Sequence, residues 1–443
     1  MRMFLFLLFI PALLLGQMVA SDSKGKIPYD QFEQAETCGS CHTDFYQQWT
    51  QAMMSQAYTH EWDEIEYFKL AENHARVNPE LRDVIDGCNG CHTPMAFLAG
   101  DLPPKPPKAN TRANESVTCD VCHTISGFQG DTPFNFNYIL QPGDTKIGPK
   151  DNIDSPYHQY QYSKFISTAE YCGTCHNEKD PHGVWVKSTQ LEWKEGPYGK
   201  DNIPCQTCHM PKAIGKSASM SDEALVAQHL FHGAHDEGKL KGAIEIRVHP
   251  EEREWEIDDL VTLKVQLFNG KCGHKVPSGS VEDRIMWLEV KVIDKKGNSW
   301  MLPVVPKGFE GEQYTIGSDE LAYQDMGIPL EIKDFKGVRR DGIVPVGARI
   351  FRMPYFDPEG RMTIMQWNTK SLGVDYRIGP RETKIETYQW EIPDDAEPGT
   401  YKVRVTLKYQ RLVQSVAEFL EVPKEEYDIV EINHAETWFN IIE

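Results

Sequence analysis

The pattern of apolar and polar positions divides this chain into two unlike halves. After residue 243 the apolar residues alternate. Val261, Leu263, Val265 and Leu267 are interleaved with Thr262, Lys264 and Gln266. Met286, Leu288, Val290 and Val292 alternate with Glu289 and Lys291, and Tyr401, Val403, Val405 and Leu407 with Lys402, Arg404, Thr406 and Lys408. A period of two sends successive side chains to opposite faces, so each run reads as a strand with one buried side. Several such runs predict an antiparallel β-sandwich over 244–425, with the last apolar positions near Val422. A tail, 426–443, follows and carries His434.

Before residue 243 the spacing is helical and often interrupted. Thr43 is placed to cap a helix whose face carries Phe45, Trp49, Ala52, Met53 and Gln56; Trp62, Ile65 and Phe68 continue the pattern towards Pro79. Leu102 to Lys108 reads as a polyproline-type loop, and Asp131 to Pro156 is rich in Gly, Pro, Asn and Asp. The expected fold class is therefore α+β and multidomain: a loop-rich, mostly helical domain over 21–243, then the β-sandwich. Residues 1–20 read as an export signal, with Arg2 before an apolar run from Phe4 to Leu15 and Met18-Val19-Ala20 as the cleavage site. The run is short for a membrane span, which needs about 20 residues. An uncleaved anchor is the other reading.

The helical half holds five copies of Cys-x-x-Cys-His: Cys38-Cys41-His42, Cys88-Cys91-His92, Cys119-Cys122-His123, Cys172-Cys175-His176 and Cys205-Cys208-His209. Each is a c-type haem attachment site. The two thiols form thioethers to the haem vinyl groups, and the adjacent His becomes the proximal iron ligand. Structural zinc pairs Cys-x-x-Cys knuckles without requiring a neighbouring His. A disulfide framework gives the five histidines no role. The motifs use ten of the 11 cysteines; Cys272 is left over and reads as a buried thiol. Five covalently bound haems c are the expected cofactors, and they supply the apolar surface that a loop-rich domain lacks. From first Cys to first Cys the steps are 50, 31, 53 and 33 residues, which suggests a duplicated two-haem unit after the first haem.

Ten histidines lie outside the motifs, enough to close every iron on its second side. His60, His74, His158, His229, His235 and His274 are the candidate sixth ligands. His229, His232 and His235 fall in HLFHGAH, where 229 and 232 share a face if the segment is helical, so the cluster is expected to serve two haems. His274 falls in NGKCGHKVPSG, a loop between two predicted strands, from which it is expected to reach back into the haem domain. Met53 and Met54 are the alternative ligands; Met/His ligation raises the potential. For each of these residues the plain alternative is a surface or core side chain.

The stretch CGSCHTDFYQQWTQAMMSQAY resembles the opening of the cytochrome c-554 family of multihaem cytochromes: Tyr46, Trp49 and Met53 match, and Met54 stands where that family commonly has His. SPYH, with His158, is similar to the family's distal-His segment. HLFHGAH is similar to its H-x-F-x-G-x-H segment, and GHKVPSG to a loop of the β-domain in related cytochromes. The resemblance implies electron transfer, mostly bis-His irons and a periplasmic or extracellular location. Some relatives are enzymes and others form filaments. The net charge of −20 excludes nucleic acid as a partner and suits docking on basic patches of redox proteins, whether other cytochromes or a membrane quinol-oxidising complex. Peripheral membrane contact and a homo-oligomer or filament stay open. An electron carrier is the first reading, and a reductase or oxidase of a small nitrogen or sulfur compound at one open iron the second. Pentahaem nitrite reductases carry Lys in place of one motif His, and no motif here does.

Overall fold

The computed structural model describes residues 17–151, 153–305, 343–345 and 347–443. The first 16 positions of the expected export signal lie outside them. Met18–Val19 pair with Ile139 and Leu140, and Ala20 is fully buried beside them.

The alternating runs of the second half form two sheets. One orders the strands Glu245–Pro250, Leu260–Phe268 and Thr383–Glu391. The other orders Glu254–Trp255, Val430–Ile441, Gly399–Gln410, Ile285–Ile293 and Ser299–Met301, with Arg349–Phe351 also on Ile285–Ile293. Both sheets feed one hydrophobic cluster. Val261, Leu263, Val265 and Leu267 from the first sheet join Leu288, Val290, Val292, Val403, Val405, Leu407 and Phe439 from the second. Burying each such side chain contributes roughly 1.5–3 kcal/mol.

Three details depart from the sequence expectation. The segment expected as a tail, 426–443, instead supplies the strand Val430–Ile441, paired along its length with Gly399–Gln410. Its alternation is broken by a register shift at Leu407/Lys408, which hides the period from a linear reading. The pairing of Glu254–Trp255 with this strand is parallel, so the region is not wholly antiparallel. The strand Ile285–Ile293 is buried on both faces: Trp287 is fully buried, and Glu289 is 5% exposed, receiving the Trp287 Nε1–H at 3.0 Å and Lys408 Nζ at 2.8 Å.

The second face of that strand explains the burial. A further cluster packs Trp62, Leu70, Leu81 and Ile85 from the first half against Trp287, Ile350, Trp367, Leu412 and Leu420. The two halves therefore share a core, although the composition changes sharply between them.

The first half is built of short helices and small sheets around a modest cluster of Phe32, Met95, Phe97, Leu98, Val121, Tyr138 and Leu140. The helix Thr43–Thr50 ends six residues before the apolar pattern does; Met53–Gln56 is a separate 3₁₀ turn. The Trp62 pattern runs on as helices Glu61–Glu66 and Glu72–Val77, joined by a π-turn.

Candidate functional site

Each motif sits on a short helix or on the end of one: Ala35–Gly39, Arg82–His92, Cys119–Cys122, Ala169–His176 and Cys205–His209. Helical geometry explains the spacing. Residues i, i+3 and i+4 share a face, so two thiols and the following imidazole point the same way. The backbone bonds from His42 N to Cys38 O (2.8 Å) and from His123 N to Cys119 O (2.9 Å) close that turn. None of the 11 cysteines is paired in a disulfide.

Four motif histidines are locked by the backbone. The Nδ1–H of His42 donates to Ser217 O (2.5 Å), that of His92 to Ala57 O (2.7 Å), that of His123 to Ile147 O (2.7 Å) and that of His209 to His232 O (2.7 Å). A carbonyl on Nδ1 fixes the tautomer and leaves Nε2 as the lone-pair donor.

Three of them face a second histidine. The ring centres of His42 and His158 are 6.4 Å apart, those of His123 and His229 are 6.3 Å, and those of His209 and His274 are 6.4 Å, with interplanar angles of 34°, 25° and 19°. Two metal–nitrogen bonds of about 2 Å, each extended by about 1 Å to the ring centre, separate two imidazoles on one iron by about 6 Å. The residues fit haem iron held between two histidines. The distal rings are tied in the same way: Nδ1–H donates to Gln159 O from His158 (3.0 Å), to Ala227 O from His229 (3.1 Å) and to Lys275 O from His274 (2.7 Å). Burial lowers the pKa of His209 and of His229 to about 4, helped by His274 and His123 respectively, and lowers that of His123. Neutral imidazoles are the form that binds iron.

The HLFHGAH segment is irregular rather than helical, with Phe231 at φ 49° and a turn at Ala234–His235, so His229 and His232 do not share a helical face. It still serves two motifs: the His229 ring stands opposite His123, and the His232 carbonyl orients His209.

The cysteines show which motifs are neighbours. Cys38 lies beside Cys119, Cys91 beside Cys175, and Cys172 beside Cys205; Cys122 also approaches Cys175. The first motif thus neighbours the third, the third the fourth and the fourth the fifth, while the second branches off the fourth. Chain order is not spatial order.

His274 reaches its position through a buried ionic network. Arg377 Nη1–H donates to Glu192 Oε1 (2.5 Å), and the other Glu192 oxygen receives Lys275 N (3.2 Å) and Ser278 Oγ (2.8 Å). Asp375 takes Arg377 Nε (2.9 Å) and Lys275 Nζ (2.7 Å). Glu192 belongs to the helix Thr189–Glu195 of the first half, so the network clamps the 270–279 loop onto the haem-motif region. Sequence reasoning did not single out Glu192, Asp375 or Arg377. Glu192 lies 185 residues before Arg377, which leaves no local signal for the pair.

The remaining candidates go elsewhere. His74 is 2% exposed and accepts the Trp367 Nε1–H at 3.0 Å, inside the shared core. His60 and His235 face each other and Glu426, a residue the sequence reading passed over. Met53 and Met54 lie half-buried in the 3₁₀ turn. Cys272 packs against the core between the sheets, and burial pushes its thiol up to about 11. Among the described residues no histidine ring stands opposite His92 or His176 at the spacing of the other three pairs.

Residues 37–124 match the family model described as cytochrome c554 and c-prime. A penta-heme cytochrome c552 from Thermochromatium tepidum shares the fold, with 20% identity over 92% of this chain and 99% of that one and a TM-score of 0.61. A CARDB domain from Pyrococcus furiosus aligns at 10% identity over 45% of this chain and 87% of that domain, but at a TM-score of 0.17, too slight to carry weight.

Proposed function

We propose that this chain, a multihaem c-type cytochrome resembling the cytochrome c554 family, is an exported pentahaem electron carrier with a β-sandwich fused to its haem domain. Bound haem supplies reversible one-electron chemistry at iron. The observation that carries the reading is the three histidine pairs at 6.3–6.4 Å, the spacing of irons closed on both sides. Closed irons exchange electrons and bind no substrate. The residues contribute in distinct ways. The carbonyls of Ser217, Ala57, Ile147 and His232 hold the motif imidazoles in one tautomer. Tyr171 donates to Cys122 O (2.8 Å), bracing the third motif against the fourth. The β region brings His274 to the fifth motif and covers the second through the shared core. The net charge of −20 suits transient docking on basic redox proteins outside the cytoplasmic membrane. Among the described residues no helix is long and apolar enough to cross a membrane.

A second reading has its own support. Neither His92 nor His176 faces a histidine in the way the other three do. An iron open at either position is the requirement for a reductase or oxidase of a small nitrogen or sulfur compound. Intact mass and low-temperature EPR of the oxidised protein decide. Five haems and low-spin signals only are the outcome expected of the carrier. A high-spin signal that shifts on adding nitrite or hydroxylamine establishes the second reading, and a mass short of five haems overturns the pentahaem assignment.

A further inference from the structure

His60, His235 and Glu426 gather from three distant parts of the chain, near the second motif, whose His92 acts on Asp63 together with His60 and His235. His60 precedes the helix Glu61–Glu66, His235 follows the fifth motif, and Glu426 closes the turn before the last strand. Their ligand atoms all lie within 4.8 Å of one another. His60 Nε2 is 3.1 Å from one Glu426 oxygen, and His235 Nε2 is 3.5 Å from the other.

These contacts are close but badly aimed for hydrogen bonding. His235 Nε2 and Glu426 Oε2 are buried without a hydrogen-bond partner, and the His60 side chain is only 9% exposed. Buried polar atoms left this way each cost about 1–3 kcal/mol. A tetrahedral ion with bonds of about 2.0–2.1 Å spaces its ligand atoms by roughly 3.3 Å, and the two histidine-to-Glu426 separations of 3.1 and 3.5 Å bracket that value. The carboxylate of Asp63 lies 3.3 Å from His60 Nδ1, on the side of the ring away from Glu426. A carboxylate there is the usual outer partner of a metal-bound imidazole, fixing its tautomer and turning the other nitrogen to the ion.

We propose that His60, His235 and Glu426 form a non-haem site for one divalent first-row transition ion, zinc or iron(II), with Asp63 orienting His60. Two imidazoles and one carboxylate leave a fourth position for water or a small ligand. The ion clasps the haem-bearing half to the last turn of the β region.

The test is metal analysis of the purified holoprotein against its haem content. Non-haem zinc, or iron in excess of haem, is expected at about one equivalent per chain. Glu426→Gln and His235→Asn are expected to lower it at least tenfold, with haem content and low-spin EPR unchanged. Asp63→Asn is expected to weaken the metal roughly 10- to 100-fold. Calorimetric titration of chelator-treated wild-type holoprotein with zinc requires no variant and is expected to show a single saturable site. The proposal is overturned if neither analysis nor titration finds the ion. It is equally overturned if His60→Asn or His235→Asn converts a low-spin haem to high-spin, because the histidine is then a haem ligand.

Discussion

The two halves of this protein meet the same demand, enough buried apolar surface, by different means. The β region fills the space between its sheets with its own Val, Leu, Ile and aromatic side chains, most of them fully buried. The haem-motif region gathers only modest clusters of its own side chains. Its motif imidazoles are held instead by backbone carbonyls. A region of the first kind is specified by side-chain periodicity. One of the second kind is specified by motif spacing and is completed only by its cofactors.

Withholding haem attachment should break the comparison most visibly. In a chain made without attached haem, amides of Leu260–Phe268, Ile285–Ile293 and Gly399–Gln410 are expected to stay protected from hydrogen exchange. Those around Cys38–His42 and Cys205–His209 are expected to exchange at near-random-coil rates. Equal loss in both halves would mean that the β region has no independent stability.

The next largest effect lies at the clamp between the halves. Arg377 and Glu192 are 3% and 5% exposed at their side chains. Arg377→Ala strands a buried carboxylate and is expected to cost about 3–5 kcal/mol in thermal or denaturant unfolding. It should also release the 270–279 loop, so that one low-spin haem signal weakens as His274 leaves His209. A stability loss with an unchanged EPR spectrum would separate the clamp from ligand positioning.

Much of this was legible in the sequence, for reasons that differ between the halves. Alternation at Val261–Leu267 and Tyr401–Leu407 announced strands because one face of each is buried and the other wet. The strand at Val430–Ile441 was missed because the register shift opposite Leu407/Lys408 interrupts its period. The five motifs and the histidines at 158, 229 and 274 could be named in advance, since their chemistry is local. Their pairing could not: His158 meets His42, and His229 meets His123, across long stretches of chain. Motif spacing also gave no warning that the first haem site neighbours the third. Glu192, Arg377 and Glu426 are ordinary charged residues until the fold brings them to a partner.

A pH titration sharpens the comparison at smaller scale. Burial pushes the Asp375 carboxyl up, but the Arg377 guanidinium and the Lys275 ammonium outweigh it and hold the pKa at about 2, against an ordinary value of 3.8. A pKa depressed by folding stabilises the protein above the unfolded value. The contribution, up to about 2 kcal/mol, is therefore complete above pH 4 and is lost as pH falls from about 4 towards 2. Asp375→Asn should flatten unfolding free energy across that window. An unchanged slope would assign acid sensitivity to other carboxylates.

The smallest expected effect concerns His74, beside the core that the two halves share. Its Nδ1 accepts the Trp367 Nε1–H in the shared core, so that nitrogen is occupied by a neighbour from the β region. Trp367→Phe removes the donor and keeps most of the aromatic volume. It is expected to cost about 1 kcal/mol, because a buried acceptor loses its partner. The haem spectra should not change, since the bond ties a core histidine and orients no iron ligand. A shift of any haem from low to high spin in this variant would instead make His74 an axial ligand steered by Trp367, and the interface between the halves would then have to be counted as part of the haem region.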